Sequence, residues 1–280
     1  MRFPRFRAPI SSFRALLGLV VLVGLGLGVV VMPYVGHLRR LAEVRRLGGL
    51  ATTAPCWQAR LIDDRSTGPV IGAVFDVPLD DYGMEFIGRL VELEDLEVDA
   101  GLAADDGLSA LESLVNLRRL TLTGPGLTDD SLYHVQKLIH LEELSLIDLP
   151  ITDEGLGRLA PLDRLRVLSI SRANFEGGGL DYLQELPGLR EIRLIDNPEF
   201  NNRGVAHLQG ATQLLSVSLE ANPNLSDSGL GCLKPMTHLA RLSVVSPTGT
   251  SFSRRKIREV ESALRWTKVA IDSPDADRTW

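Results

Sequence analysis

Residues 117 to 146 read LRRLTLTGPGLTDDSLYHVQKLIHLEELSL. Two phrases interlock in this stretch. The first, L-x-x-L-x-L, stands at Leu117/Leu120/Leu122 and returns at Leu141/Leu144/Leu146. Its alternating apolar residues describe a short strand with one buried face. Working outward, the phrase recurs as Leu93/Leu96/Val98, Leu165/Leu168/Ile170, Leu189/Ile192/Leu194, Leu214/Val217/Leu219 and Leu239/Leu242/Val244, with first positions stepping by 24, 24, 24, 24, 25 and 25 residues. A single globular core requires no such regularity, whereas a stack of like units does.

The second phrase closes each unit from the other side. It reads LTDDSLYHV from Leu127, ITDEGLGRL from Ile151 and LSDSGLGCL from Leu225, with weaker copies at Leu79 (LDDYGMEFI), Leu102 (LAADDGLSAL, one residue longer) and Phe175 (FEGGGLDYL). Thr128, Thr152 and Ser226 sit where a helix begins, so their hydroxyls can cap free amides. The acids after them, Asp129, Asp153 and Asp227, favour the positive helix end. These acids occur once per unit on one rim with no His or Cys to complete a site. They read as capping groups acting on their own helices, not as metal ligands or catalytic carboxylates.

The combination of L-x-x-L-x-L with L-T-D-x-G-L resembles the leucine-rich repeat family, over Val70 to about Val245, in seven clear units and one degenerate N-terminal unit. The resemblance implies an α/β fold, a right-handed solenoid with parallel strands on the concave face and helices on the convex face. One departure is visible. The family's Asn in the turn after the strand appears as Asn197 and Asn222, both before Pro, while Gly101, Pro125, Leu149 and Ala173 take the equivalent positions elsewhere. A continuous asparagine ladder is therefore not expected, and the extra residue of the two 25-residue steps is placed in those two turns.

Composition agrees with a stack built on leucine. The 280 residues include 49 Leu against 8 Phe, 3 Trp and 4 Tyr. Residues 1 to 47 hold eight Arg and one acid, Glu43, whereas the remainder carries 22 basic and 35 acidic residues within a total of 30 and 36. A body of net −13 lacks the clustered Lys and Arg that phosphate contacts need, so nucleic acid is not an expected partner. Two cysteines exclude a disulfide framework and a Cys-only zinc site.

The chain opens with a basic segment, residues 1–14, followed by Ala15 to Met32, ALLGLVVLVGLGLGVVVM, eighteen residues without a polar side chain. That length is at the lower limit for a helix crossing a ~30 Å hydrocarbon layer. One transmembrane helix over 15–32 is expected. A cleaved signal peptide is the rival reading, but no small-x-small cleavage site follows and the run exceeds the usual apolar core of such peptides. Arg39, Arg40, Arg45 and Arg46 after the run nearly match Arg2, Arg5, Arg7 and Arg14 before it. The orientation of a single-pass membrane protein is therefore left open, an extracytoplasmic repeat domain being slightly favoured. Residues 33–50 read as a juxtamembrane helix stopped by Gly48 and Gly49. Residues 51–69, with Cys56, Trp57, Leu61 and Ile62, read as an N-terminal cap, 70–245 as the repeats, and 246–280 as a C-terminal cap and tail. In that last region Arg254 to Leu264 forms a basic amphipathic helix, Val269 to Ile271 a last strand, and Trp266 a cover for the final leucine layer. The whole arrangement resembles bacterial single-span, membrane-anchored leucine-rich repeat proteins, a likeness that implies topology and no particular activity.

No nucleophile, paired-carboxylate or phosphate-loop arrangement stands out, and no cofactor, metal or catalytic residue is assigned. His134, His207 and Cys232 share one position in their units, too few ligands for a closed zinc site. The working surface is expected on the strand face. Its first column is Asp95, Arg119, Glu143, Val167, Glu191, Ser216, Arg241; its second is Glu97, Thr121, Ser145, Ser169, Arg193, Ser218, Ser243; its third begins at Asp99. A shallow polar floor with an acidic N-terminal end suits a protein or peptide better than a small molecule. Asp95, Glu97, Asp99, Arg119, Glu143, Glu191, Arg193 and Arg241 are the candidate contacts, with the three arginines as the strong anchors. The expected function is a membrane-anchored, noncatalytic protein-interaction module. Two alternatives stand beside it: a structural protein that self-associates at the cell envelope, and a substrate adaptor like ubiquitin-ligase leucine-rich repeat proteins.

Overall fold

The computed structural model describes residues 39–53, 70–247 and 252–272. Within them ten strands form one sheet in chain order: β1 (Leu50–Thr53), β2 (Val70–Phe75), β3 (Asp95–Asp99), β4 (Arg119–Thr123), β5 (Glu143–Ile147), β6 (Val167–Ser171), β7 (Glu191–Ile195), β8 (Ser216–Glu220), β9 (Arg241–Val245) and β10 (Lys268–Asp272). Strands β2 to β10 are parallel, and their in-register pairing aligns Leu96, Leu120, Leu144, Leu168, Ile192, Val217 and Leu242 in one row. Every residue of that row is buried. Truncating one such leucine to alanine costs about 2–5 kcal/mol, because neighbouring units cannot collapse into the space.

The opposite layer holds short helices: α1 over 39–46, α2 (Asp81–Gly88), α3 (Ser131–Val135), α4 (Asp153–Gly157), α5 (Asn202–His207), α6 (Asp227–Cys232) and α7 (Arg254–Ala263). Capping chemistry separates most of these from the 3-10 segments, α3 excepted, since its N-cap residue Asp130 supplies no side-chain bond. Asp80, Thr152, Asn201 and Ser226 each accept a backbone N–H at the start of an α-helix. The N-cap residues Ala104 and Gly177 supply no side-chain bond, and Asp105–Ser113 and Gly178–Glu185 run as 3-10 helix. Amides without a cap are satisfied by tightening the turn. The phrase read from Leu102 is displaced by one residue: Ala103 fills the buried position that Leu79, Leu127 and Ile151 take in their units, and Leu102 is 70% exposed.

The turns after the strands differ as the missing asparagines require. Asn197 and Asn222 are buried. The Asn197 side chain accepts from Ala173 N–H at 3.0 Å and donates to Ile170 O at 3.1 Å, while Asn222 accepts from Asn197 N–H at 3.0 Å and donates to Leu194 O at 2.9 Å. This makes a ladder of two rungs. From β7 to Phe200 and from β8 to Leu225 the turn is one residue longer than from β6 to Phe175, which locates the additional residue of both 25-residue steps.

At the N-terminal end β1 pairs antiparallel with β2, an element outside the repeat pattern. Leu41 and Val44 of α1 lie in the core, so this helix covers the first repeat layer. Its stop is the expected Gly pair: Gly48 adopts φ 77° and Gly49 N–H donates to Val44 O at 2.8 Å, a left-handed helix end. A Cβ on Gly49 would stand 2.6 Å from the Phe75 ring. Cys56, Trp57, Leu61, Ile62 and the apolar run Ala15 to Met32 lie outside the described residues. Among the described residues no helix is long and apolar enough to cross a membrane.

At the other end α7 and β10 occupy the expected places. Trp266, however, does not cover the final layer. It falls in the turn between α7 and β10 and is 94% exposed, while Phe252, Val260 and Leu264 fill the layer instead.

Candidate partner-binding surface

Along each repeat strand from β3 to β9 the even-numbered or odd-numbered set facing the helices is buried, and the alternate set is exposed or half-buried, apart from Ser171 at the end of β6, which is buried. The eight candidate residues all fall in the open set, where strand pairing brings Asp95, Arg119 and Glu143 side by side and Glu191 next to Ser216. Their charges are not equally available. Arg119 is ion-paired with Asp95 in the adjacent strand, and Arg193 is paired with Glu191, two residues back on its own strand, at 2.6 Å. Asp99 turns to its own loop and accepts from Gly101 N–H at 2.8 Å. Among the described residues Glu97, Glu143 and Arg241 make no ion pair within 4 Å and are exposed. Two of the three arginines read as anchors are thus already occupied by neighbouring acids, and the open charge is chiefly acidic.

A cleft of about 450 Å³ opens at the N-terminal end of this face, lined by Thr52, Gly72, Val74, Asp95, Glu97 and Arg119 among others. Gly72 leaves room in its floor, because it stands beside Thr52 and begins the open column that Asp95 and Arg119 continue, whereas Ala51 and Ala73 turn to the core. Its walls bring Asp95, Glu97 and Arg119 together; Glu191, Arg193 and Arg241 lie several strands away.

The rim acids carry a role that their sequence position hides. Asp105 accepts from Thr128 N–H at 2.8 Å and from its hydroxyl at 2.6 Å; Asp129 does the same to Thr152 at the same distances; Asp227 accepts from Ser253 N–H at 2.8 Å. Asp153 accepts from Glu176, Gly177 and Gly179 N–H groups, and Asn202 from Ser226 N–H at 3.0 Å. Each side chain reaches into the next unit, so these residues clasp adjacent repeats together instead of acting only on their own helices. The glycine of the repeated phrase now has a cause. A Cβ on Gly107, Gly155 or Gly229 would stand 2.1 to 2.4 Å from the clasping side chain of the unit before.

His134 and His207 also reach one unit back, with Nδ1 2.7 Å from Glu112 Oε1 and 2.9 Å from Asp181 Oδ1. Cys232 Sγ lies 3.4 Å from Ser228 O. Among the described residues no group of three or more His, Cys, Asp or Glu is placed to hold a metal ion.

Parallel strands in register every 24 or 25 residues, short helices behind them and an Asn rung in the turns define a leucine-rich repeat solenoid. No family model matches the chain, and no curated protein matches it. Among solved structures it is similar to an internalin C2 from Listeria monocytogenes, with 17% identity and a TM-score of 0.49 over 72% of this chain and 80% of that one. It is also similar to the internalin inlF of the same organism, with 14% identity and a TM-score of 0.41 over 77% and 87% of the two chains.

Proposed function

We propose that the protein is a noncatalytic interaction module, tethered to a membrane through residues 15–32, which binds a protein or peptide along the open face of its sheet. The reading rests chiefly on one observation: Glu97, in the wall of a shallow cleft, and Glu143, two strands further on, stand exposed and, among the described residues, without ion pairs. A partner presenting Lys or Arg in extended chain gains charge complementarity there, and the flat Ser and Thr floor formed by Thr121, Ser145 and Ser169 admits a backbone. The apolar, uncharged run Ala15 to Met32 supports the tether. Placement of the repeats on the extracytoplasmic side is part of the proposal.

Site-specific photocrosslinking in cells tests the surface. A photoreactive residue at Thr121 or Ser145 is expected to capture one discrete partner that the same residue at Glu154 or Asp181, on the helix side, does not. Capture from the helix side alone would overturn the assignment. Retention of the full chain in membranes through an alkaline wash tests the tether, and its release would exclude it.

A further inference from the structure

Strand β10 ends the sheet, and its sequence is Lys268-Val269-Ala270-Ile271-Asp272. Lys268 N–H donates to Ala240 O at 2.9 Å, and Asp272 O accepts from Ser246 N–H at 3.0 Å. The backbone groups of residues 268, 270 and 272 therefore face β9, and those of Val269 and Ile271 face outward, where no strand of the described residues pairs with them. The side chains tell a matching story. Trp266, Val269 and Ile271 keep the spacing of the repeat's three leucines, yet Trp266 is 94% exposed and Val269 and Ile271 are only partly buried, unlike the same positions in every earlier repeat strand. An open edge with apolar side chains is a template for another strand.

We propose that this edge pairs with the same edge of a second copy, in antiparallel register about a two-fold axis at Ala270. The charges select that arrangement. With Ala270 opposite its counterpart, Lys268 of each copy lies opposite Asp272 of the other on the strand face, and Val269 lies opposite Ile271 on the core face. Val269 and Ile271 then exchange both backbone hydrogen bonds with their counterparts, which satisfies the outward-facing groups of both edges. A parallel pairing of two β10 strands in register would set Lys268 against Lys268 and Asp272 against Asp272, which is unfavourable. The opposite end of the sheet offers no such match, since β1 is Leu-Ala-Thr-Thr. An isologous contact of this kind closes on itself and does not propagate. This inference does not depend on which partner occupies the open face of the sheet.

Cysteine crosslinking of the full chain in detergent, in a Cys56→Ser/Cys232→Ser background, reads the register directly. At the two-fold axis the Ala270 pair is a non-hydrogen-bonded one with Cα atoms about 4.5 Å apart, within disulfide reach. Ala270→Cys is therefore expected to form a covalent dimer under mild oxidation. Lys268→Cys is not, because the two 268 positions stand about 14 Å apart along the strands, at ~3.4 Å per residue. Adding Lys268→Asp to Ala270→Cys should reduce the crosslinked dimer at least about tenfold through like-charge opposition, and Lys268→Asp/Asp272→Lys should restore it. Both charged residues are exposed, so thermal melting should confirm that each variant folds. A well-folded Ala270→Cys protein that stays uncrosslinked overturns the proposal. So does equal crosslinking at 268 and 270, or a dimer indifferent to both charge changes, since each places association elsewhere in the chain.

Discussion

Asp129 accepts two hydrogen bonds from Thr152, one from its N–H at 2.8 Å and one from its hydroxyl at 2.6 Å, across the boundary between two repeats. Thr152 at the same time caps α4 through Glu154 N–H at 3.3 Å. The carboxylate thus orients the capping residue of the next unit, and one side chain couples interface and helix start. Asp129→Ala should lower stability by about 0.5–2 kcal/mol. Because the partner is in another unit, a double-mutant cycle with Thr152→Ala should give a clear coupling energy. Additive losses would return Asp129 to a purely local role. Chemical denaturation of the four proteins supplies the cycle.

Gly155 tests the same clasp from the other side. Alanine favours a helix over glycine by about 1 kcal/mol, but a Cβ here would stand 2.1 Å from Asp129 Oδ1. Gly155→Ala should therefore destabilise by about 1–3 kcal/mol despite its better propensity. In an Asp129→Ala background the carboxylate is gone and only the Cβ of residue 129, at 3.2 Å, has to give way, so the same substitution should cost much less than it does beside Asp129.

Ala221 is held at φ 54° in the turn after β8, with its N–H donating to Val245 O at 2.8 Å. A Cβ in the left-handed region is unfavourable by roughly 1–2 kcal/mol, part of which glycine recovers after its larger entropy loss. Ala221→Gly should raise stability by about 0.5–1 kcal/mol. Arg172, at φ 53° in the equivalent turn, is ion-paired with Asp148, whose carboxyl is held below its usual value by the hydrogen bond from Arg172. Arg172→Gly should show no comparable gain, because relief of the backbone is offset by loss of that pair.

Much of this architecture is legible in the sequence, for a reason that also marks its limits. A strand with one buried face has period two, so L-x-x-L-x-L fixes which side chains point to the open face, and a 24-residue step fixes which stand side by side. The pairing of Asp95 with Arg119 follows from that step, since the two are 24 residues apart in neighbouring strands. The pairing of Arg193 with Glu191 follows from their spacing of two. Both signals were present in the columns, and both lower the number of anchors open to a partner. The clasp was harder to see. Asp129 stands 23 residues before Thr152, one short of the repeat, so a reading that compares equivalent positions never sets the two together. β1 was hidden for a different reason. Leu-Ala-Thr-Thr carries no repeat phrase, and its pairing is decided by the exposed edge of β2. Trp266 keeps the spacing of a core leucine, but the turn between α7 and β10 carries it outside, and none of the described residues packs over it.

Acid should loosen the C-terminal end before the rest of the solenoid. Glu259 of α7 is held at about 2, from an ordinary 4.5, by hydrogen bonds from Lys234, Lys256 and Arg255. A carboxyl lowered in the folded state contributes fully above its unfolded value and loses that contribution as pH falls from about 4.5 toward 2. Because Glu259 bridges α7 to Lys234 of the preceding unit at 2.8 Å, the fading contribution should be that of the end cap. Glu259→Gln should lower the melting temperature at pH 7 and flatten its decline between pH 5 and 2. A decline that keeps its full slope in the variant would assign the acid response to other carboxylates.

The open charges of the strand face should govern binding without governing stability. Glu97 and Glu143 are exposed and bear no ion pair within 4 Å among the described residues, so reversing them alters chiefly the potential that a basic partner meets, with a small, solvent-screened like-charge cost between residue 143 and Arg119 opposite it in β4. Asp95 differs, since its loss also strands Arg119. Once a partner is captured, Glu97→Lys/Glu143→Lys should weaken binding at least about tenfold, largely through the association rate, and the effect should shrink as salt is added. Its melting temperature should stay near that of the parent. Asp129→Asn/Asp153→Asn, on the clasp, should do the reverse, lowering the melting temperature while leaving affinity nearly intact. Asp95→Lys should affect both, with a smaller share in stability because the pair is solvent-screened. Calorimetric titration and thermal melting of the three variants separate these outcomes. Unchanged affinity after reversal of Glu97 and Glu143 would move the contact surface off the acidic end of the sheet.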